Sequence, residues 1–248
     1  LDTAQYEKIK KLTIGELREK VLDNMIAGDE ILTLARGMSS EVIAALAKLM
    51  GNLDLMYVSR KLHITAHCNT TIGLPGTFAV RLQPNHPTDD VKGVTASLLE
   101  GLSYGAGDAV LGLNPAVDTV KSTADILNLF NDVKTRLEIP TQICVLSHIT
   151  TQIQALRQGV PMDLCFQSIA GSEAALSSFG TDVDMLENAN ELMAKYSTAE
   201  GPNYMYFETG QGSELSSSAH NGADQLVMES RCYGLARHYS CLLYTSPS

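Results

Sequence analysis

Residues 204–212 read YMYFETGQG, and the fold turns on what a lone carboxylate, Glu208, does where an apolar run gives way to glycines. Tyr204, Met205, Tyr206 and Phe207 form a short aromatic, apolar stretch, the pattern of a strand buried on both faces, and Gly210 and Gly212 supply the break that ends it. Glu208 therefore sits at the C-terminal tip of a strand. Three roles fit that place: part of a phosphate loop, the cap of the next helix, or a group at the catalytic end of a parallel strand.

The same texture recurs along the chain. CNTTIGLPGTFAVRLQPN (68–85) is β-branched and glycine-marked, and TDDVKGVTASLLEGL (88–102) follows with a threonine cap, an acidic first turn and apolar Val91, Val94, Leu98 and Leu99 at helical spacing. DAVLGLNP (108–115) precedes a helix carrying Val120, Ile126, Leu127, Phe130, Val133 and Leu137 that stops before Pro140. TQICVLSHI (141–149) precedes TTQIQALRQG (150–159). LCFQSIAG (164–171) precedes SEAALSSFG and VDMLENANELMAKY, and YMYFETGQG precedes NGADQLVMESRCYGLARHY (221–239). Five apolar strands alternating with helices predict an α/β architecture with parallel strands covered by helices, either a doubly wound sheet or a (β/α)8 TIM barrel. Polar residues follow the apolar run in all five units: Arg81 and Gln83, Asn114, His148, Gln167 and Ser168, then Glu208. A barrel gathers every strand tip at one mouth, whereas a doubly wound sheet concentrates its ligand at one switch point. The five polar tips select the TIM barrel, of which residues 67–239 hold about five βα units.

Residues 1–66 carry no strand run and read as an N-terminal helical lead-in. TIGELREKVL (13–22) places Ile14, Leu17 and Val21 on one face. SSEVIAALAKLMG (39–51) offers a serine cap, a stripe of Val42, Leu46 and Leu49, and Gly51 as the stop. These faces are read as core packing.

Composition narrows the function. A chain of 248 residues with 44% hydrophobic and 19% charged content is that of a soluble globular protein. Its 28 acidic and 18 basic residues leave a net charge of -10, which repels nucleic acid and anionic lipid and admits a cationic small substrate. The five cysteines form no CxxC pair, and Cys144 and Cys165 lie inside apolar runs, so a reducing, cytoplasmic compartment is expected. Neither a leader peptide nor an apolar run of membrane-spanning length is visible. The chain starts at Leu1 rather than Met, and a fragment is expected.

The local motifs are mostly negative. GQGSEL (210–215) has Leu215 where a dinucleotide fingerprint needs its third glycine, and no GK[ST] is present for a P-loop. HITAH (63–67) lacks the glutamate of a zinc-protease helix and reads as a structural or surface pair, so no metal site is expected. No GxSxG elbow or Cys–His arrangement points to a nucleophile. His148 stands as an acid, a base, a ligand contact or a packed tip residue. The tips together carry one guanidinium, three amides and one carboxylate, a set suited to holding a small polar molecule rather than to acid–base chemistry. Glu208 would pair an ammonium and Arg81 would hold an oxygen; since a buried Glu without a cation is costly, its occupant is expected to be positive.

The strings TTIGLPGTFAVRLQPN, GLSYGAGDAVLGLNP, FQSIAGSE, YFETGQGSELS and NGADQLVMESRCYGLARHY together resemble the large subunit of ethanolamine ammonia-lyase, nearly unbroken from about residue 6 to Tyr239. The resemblance implies a TIM barrel that binds adenosylcobalamin between large and small subunits, assembled as a hexamer of such pairs, and turns ethanolamine into acetaldehyde and ammonia by radical chemistry. A bacterial microcompartment is a further setting for such an enzyme. Position by position, substrate contacts fall on Arg81, Leu82, Gln83 and Asn114, with Glu208 on the ammonium, and Arg81 and Glu208 are the candidate catalytic residues. Cofactor contacts fall on Pro115, Gln167 and Ser216. No DxHxxG is present, since Leu146 lies two before His148, which implies a cobalamin that keeps its own base on the metal. Residues 240–248, SCLLYTSPS, do not resemble the family and are expected to be an unrelated, turn-like tail. The later βα units, with an aspartate that completes the family's substrate site, are then missing, and the chain alone is expected to be inactive. Two other readings stay open: a cobalamin-independent barrel aldolase or isomerase using Glu208 and His148, and a non-catalytic assembly subunit.

Overall fold

The computed structural model describes residues 1–210, 214 and 218–245. Five helices open the chain: α1 (Thr3–Ile9), α2 (Ile14–Leu22), α3 (Gly28–Ala35), α4 (Ser40–Lys48) and α5 (Asn52–Lys61). Thr13 and Glu16 form a reciprocal capping box at the start of α2, and Ser39 caps α4 by accepting the Val42 N–H. Ile9, Leu17, Val21, Ile31, Leu34, Met38 and Leu46 bury into a small core of their own. Gly51 does not stop α4, which ends at Lys48; it precedes α5, and its N–H donates to Asp54.

A short antiparallel hairpin follows, β1 (Ala66–His67) with β2 (Thr71–Ile72). Then come β3 (Arg81–Leu82), α6 (Val91–Ser103), β4 (Val110–Leu113), α7 (Val120–Arg136), β5 (Ile143–Val145), α8 (Ile149–Arg157), β6 (Cys165–Ile169), α9 (Glu173–Ser178), α10 (Val183–Tyr196), β7 (Met205–Thr209), α11 (Gln225–His238) and β8 (Leu243–Thr245). The α/β alternation is as expected, with three differences. The run 68–85 is not one strand, because Gly73 and Gly76 adopt positive φ and Pro75 lies between them, which leaves only Arg81 and Leu82 in the ladder. Asp90 rather than Thr88 caps α6, accepting the Gly93 N–H. The stretch expected to be turn-like supplies β8, which pairs in parallel with β7, Tyr206 opposite Leu243.

The parallel strands lie in chain order, β3-β4-β5 and β6-β7-β8, and the Leu164 N–H donates to the Ile143 carbonyl at 3.1 Å where β6 meets β5. Among the described strands the order never reverses, so no doubly wound switch point is present. The array also curls. In a flat sheet β3 and β7 would stand about 19 Å apart, four strand spacings, too far for an arginine and a glutamate to bridge. Yet Arg81 on β3 reaches Glu208 on β7 at 2.7 Å.

Alternation along each strand sorts the residues onto two buried faces. Leu111, Leu113, Ile143, Val145, Cys165, Ile169, Met205 and Phe207 face the helices and join Leu127, Phe130, Ile153 and Met193 in the main core. Val110, Cys144, Leu164, Phe166 and Tyr206 line the concave face, where Cys68 from the hairpin packs with them. The hairpin plugs the end where the strands begin: Gln142 accepts from the Asn69 and Thr70 N–H groups, and Asn203 accepts from the His67 N–H. The helical lead-in docks on α11 through Lys48–Glu229 at 2.9 Å and Arg237 on the Met38 carbonyl at 3.0 Å.

Candidate functional site

At the C-terminal tips of the strands four of the sequence-selected side chains fall into two groups. Arg81, Gln83 and Glu208 converge, whereas Gln167 turns to a different task. Arg81 Nη1 donates to Glu208 Oε1 at 2.7 Å, and Nη2 donates to Gln83 Oε1. A fourth residue joins them: the Tyr206 hydroxyl accepts from Arg81 Nη1 and donates to Glu208 Oε1. By sequence pattern alone Tyr206 reads as core. Its position two before Glu208 on one strand was the available signal, because period two puts both side chains on the same face.

The electrostatics follow from this knot. Arg81 and Glu208 are each about one-third exposed, at 30% and 31%. Partial burial disfavours the Arg81 charge, but the Tyr206 oxygen and the Glu208 carboxylate outweigh it and hold the guanidinium above its ordinary value. Burial, reinforced by the hydrogen bond to Glu208, pushes the Tyr206 hydroxyl well above the ordinary phenol range, so it stays a neutral donor. The expectation that Glu208 needs a ligand cation for its charge changes accordingly: Arg81 already supplies one. Among the described residues, hydrogen bonds reach only Oε1 of Glu208, and its side chain lines a pocket of about 380 Å³ with Ser168, Ser178, Phe179, Thr209 and Gly210. That volume accommodates a small polar molecule with room to spare.

The other expected residues are placed as follows. Leu82 points its side chain at α6, where a Cβ on Gly101 would come within 2.3 Å of its Cδ1, so residue 82 offers the site only its main chain. Asn114 is exposed at the tip of β4, with its N–H donated to Asn85 Oδ1 at 2.9 Å, and Pro115 follows it half-buried. Gln167 is buried and internally committed: Oε1 accepts from the Ile149 N–H at 2.9 Å and Nε2 donates to the Ser168 carbonyl at 2.8 Å. Ser216 lies outside the described residues, as does most of the glycine loop 210–215.

His148 is a packed tip residue. It caps α8, its Nε2 lies 2.8 Å from the Phe179 carbonyl and must carry the proton, and its Nδ1 accepts from Thr150 Oγ1 at 2.8 Å. Both ring nitrogens are thus occupied, which removes it as a proton shuttle in this arrangement. The cysteines are equally quiet: burial pushes the Cys68, Cys165 and Cys241 thiols up to about 12 and Cys232 to about 11, so none is a thiolate near neutral pH. No group of three or more His, Cys, Asp or Glu is placed to hold a metal ion among the described residues, and none of their helices is long and apolar enough to cross a membrane.

A ring of side-chain oxygens fixes the strand tips to one another. Asp89 accepts from the Ala116 and Val117 N–H groups at 2.8 and 2.9 Å, Asp118 from the His148 N–H at 2.6 Å, and Glu214 from the Gly171 N–H at 2.9 Å. With Asn85 and Gln167, each tip loop is tied to its neighbour through a main-chain N–H. This rigid frame positions side chains on loops that would otherwise fluctuate.

Comparison with known proteins agrees over nearly the whole chain. A family model described as the ethanolamine ammonia lyase large subunit matches residues 1–246. The ethanolamine ammonia-lyase large subunit of Salmonella typhimurium is 50% identical over 238 residues, 96% of this chain and 52% of the relative. That of Escherichia coli K12 is 50% identical over 234 residues, 94% and 52% of the two chains. The chain thus spans about half the length of the curated relatives it matches.

Proposed function

Because the chain belongs to the ethanolamine ammonia-lyase large-subunit family, we propose that it is part of the catalytic subunit of an adenosylcobalamin-dependent lyase that converts ethanolamine to acetaldehyde and ammonia. The observation that carries this reading is the knot of Arg81, Gln83, Tyr206 and Glu208 at the strand tips, beside a pocket sized for a small molecule. The sequential strand order and the curl that lets β3 meet β7 support a TIM barrel as the complete fold. The large-subunit name of the relatives supports a small-subunit partner, and a hexamer of such pairs is the assembly we infer.

In this reading the Glu208 carboxylate accepts from the substrate ammonium through Oε2, the oxygen that no hydrogen bond from the described residues occupies. Arg81 and Gln83, already oriented by each other, and Asn114 from the neighbouring tip, meet the hydroxyl and amino groups, with Leu82 contributing main chain only. Adenosylcobalamin, when bound, supplies the radical chemistry that removes hydrogen from the carbinol carbon. Pro115 fits an apolar contact to it, and Ser216 is the hydroxyl that the family pattern adds. The committed amide of Gln167 suits holding the rim at Ile149 rather than a direct side-chain contact. The chain's own task is to hold the substrate in one orientation and keep water away from reactive species. Among the described strand-tip residues, both ring nitrogens of His148 and Oε1 of Glu208 are already hydrogen-bonded, which agrees with that division of labour.

The test uses the full-length large subunit with its small subunit. Anaerobic mixing with adenosylcobalamin and ethanolamine is expected to give a paramagnetic signal that requires both. Product formed without cobalamin, or no substrate-dependent signal, would overturn the reading.

A further inference from the structure

The Tyr206 hydroxyl has no part in the residue set that the family pattern supplies, yet it touches both charged groups of the site. Its ring is held rigidly: the side chain is 1% exposed, it stands opposite Phe166 in the β6–β7 ladder, and the two rings meet edge to face at 5.3 Å and 75°. The hydroxyl has one acceptor position and one donor position in use, the first filled by Arg81 Nη1 and the second by Glu208 Oε1. Arg81 Nη1 closes the triangle on the same carboxylate oxygen. A carboxylate held at one oxygen by two donors from different directions cannot rotate about its terminal bond without breaking both.

We propose that Tyr206 is a positioning residue for ethanolamine: by occupying Glu208 Oε1 it fixes the carboxylate plane and presents Oε2 to the substrate ammonium. The role rests on the assignment of Glu208 to the ammonium made above. Gln83 performs the matching service for Arg81 by accepting from Nη2, so the guanidinium too is held at both ends. The phenol is a better clasp here than a second cation would be. It orients the carboxylate without adding positive charge beside a cationic substrate.

The experiment is equilibrium calorimetry of ethanolamine on the full-length two-subunit protein, with steady-state kinetics alongside, for wild type, Tyr206→Phe, Glu208→Gln and Phe166→Leu. Tyr206→Phe keeps the ring and its packing, so its melting temperature should stay within about 2 °C of wild type. Its Kd and KM should rise about tenfold, the loss of one charge-assisted hydrogen bond that organises the site, while kcat changes less than about twofold. Phe166→Leu loosens the packing but keeps the hydroxyl, and should lower the melting temperature with a much smaller rise in Kd than Tyr206→Phe. Wild-type affinity in Tyr206→Phe, or equal losses of stability and affinity in Tyr206→Phe and Phe166→Leu, would overturn the positioning role while Glu208→Gln still weakens binding. Unchanged affinity in Glu208→Gln would overturn the ammonium assignment, and the role of Tyr206 with it.

Discussion

Replacing Glu208 by Gln probes the site most directly, because the structure says what charge is left behind. Arg81 and Glu208 form an ion pair at 2.7 Å, so the knot is neutral as it stands and becomes singly positive when the carboxylate is lost. An ammonium seated about 4 Å from the Glu208 carboxylate is attracted by about 4 kcal/mol at an effective dielectric of 20, and this attraction is lost with the charge. Both side chains are close to one-third exposed, so solvent screening brings that to roughly 1.5 kcal/mol. Exchanging a carboxylate for an amide acceptor removes about 1.5 kcal/mol more, the difference between charge-assisted and neutral hydrogen bonds. The total of about 3 kcal/mol corresponds to roughly a 150-fold rise in Kd for ethanolamine. Calorimetry on the full-length two-subunit protein measures it. A change in Kd below about threefold would refute the ammonium assignment.

Three further outcomes are expected. Asp163 is fully buried and accepts from Lys134 Nζ at 2.6 Å, Thr198 Oγ1 at 2.6 Å and the Ile143 N–H at 2.9 Å, so Asp163→Ala or Lys134→Met should each cost about 3–5 kcal/mol in denaturant unfolding, and the pair together less than the sum. A single-variant loss under about 1 kcal/mol would contradict the stapling of β5 to β6 by this carboxylate. The buried thiols have folded pKa values raised toward about 12, so their stabilising contribution is complete below the ordinary thiol range and is lost as pH climbs through it toward 12. Melting temperature should therefore fall steadily above about pH 9, less steeply in Cys165→Ala, and a flat profile would exclude the linkage. His148→Asn keeps a cap on α8 and should cost about 1 kcal/mol of stability with Kd and kcat within about twofold of wild type; collapse of kcat in a stable variant would revive an acid–base role for this residue.

Local chemistry made most of the elements legible. The capping box at Thr13 and Glu16, the serine at 39 and the apolar stripes of α7 and α10 act over three or four residues, and a single sequence contains all of their terms. The same holds for the polar tips: Arg81, Gln83 and Glu208 stood out because a charged or amide side chain closing an apolar run is visible without any fold. Errors arose where a second local signal competed. Asp90 took the cap from Thr88 while Asp89, at positive φ, turned its carboxylate to the β4 loop, and glycines at 73 and 76 cut short a run that reads as β-branched. In residues 243–245 the tail reads as a turn by composition, and ladder pairing with β7 makes it a strand.

What the sequence by itself determined is therefore the order of strands and helices, the family, and the residues from which a site could be made. What only the tertiary structure decided is which of those residues meet. Arg81 and Glu208 are 127 positions apart, and nothing local to either says that the sheet curls enough to join them. That contact converts a carboxylate awaiting a cation into half of an internal pair, recruits a tyrosine that reads as core, and turns Gln167 and His148 from candidate ligands into fasteners of the rim. The physical reason is range: helix caps and side-chain alternation are set by bonded neighbours, whereas the pairing of charges across a curved sheet depends on the summed twist of every strand between them.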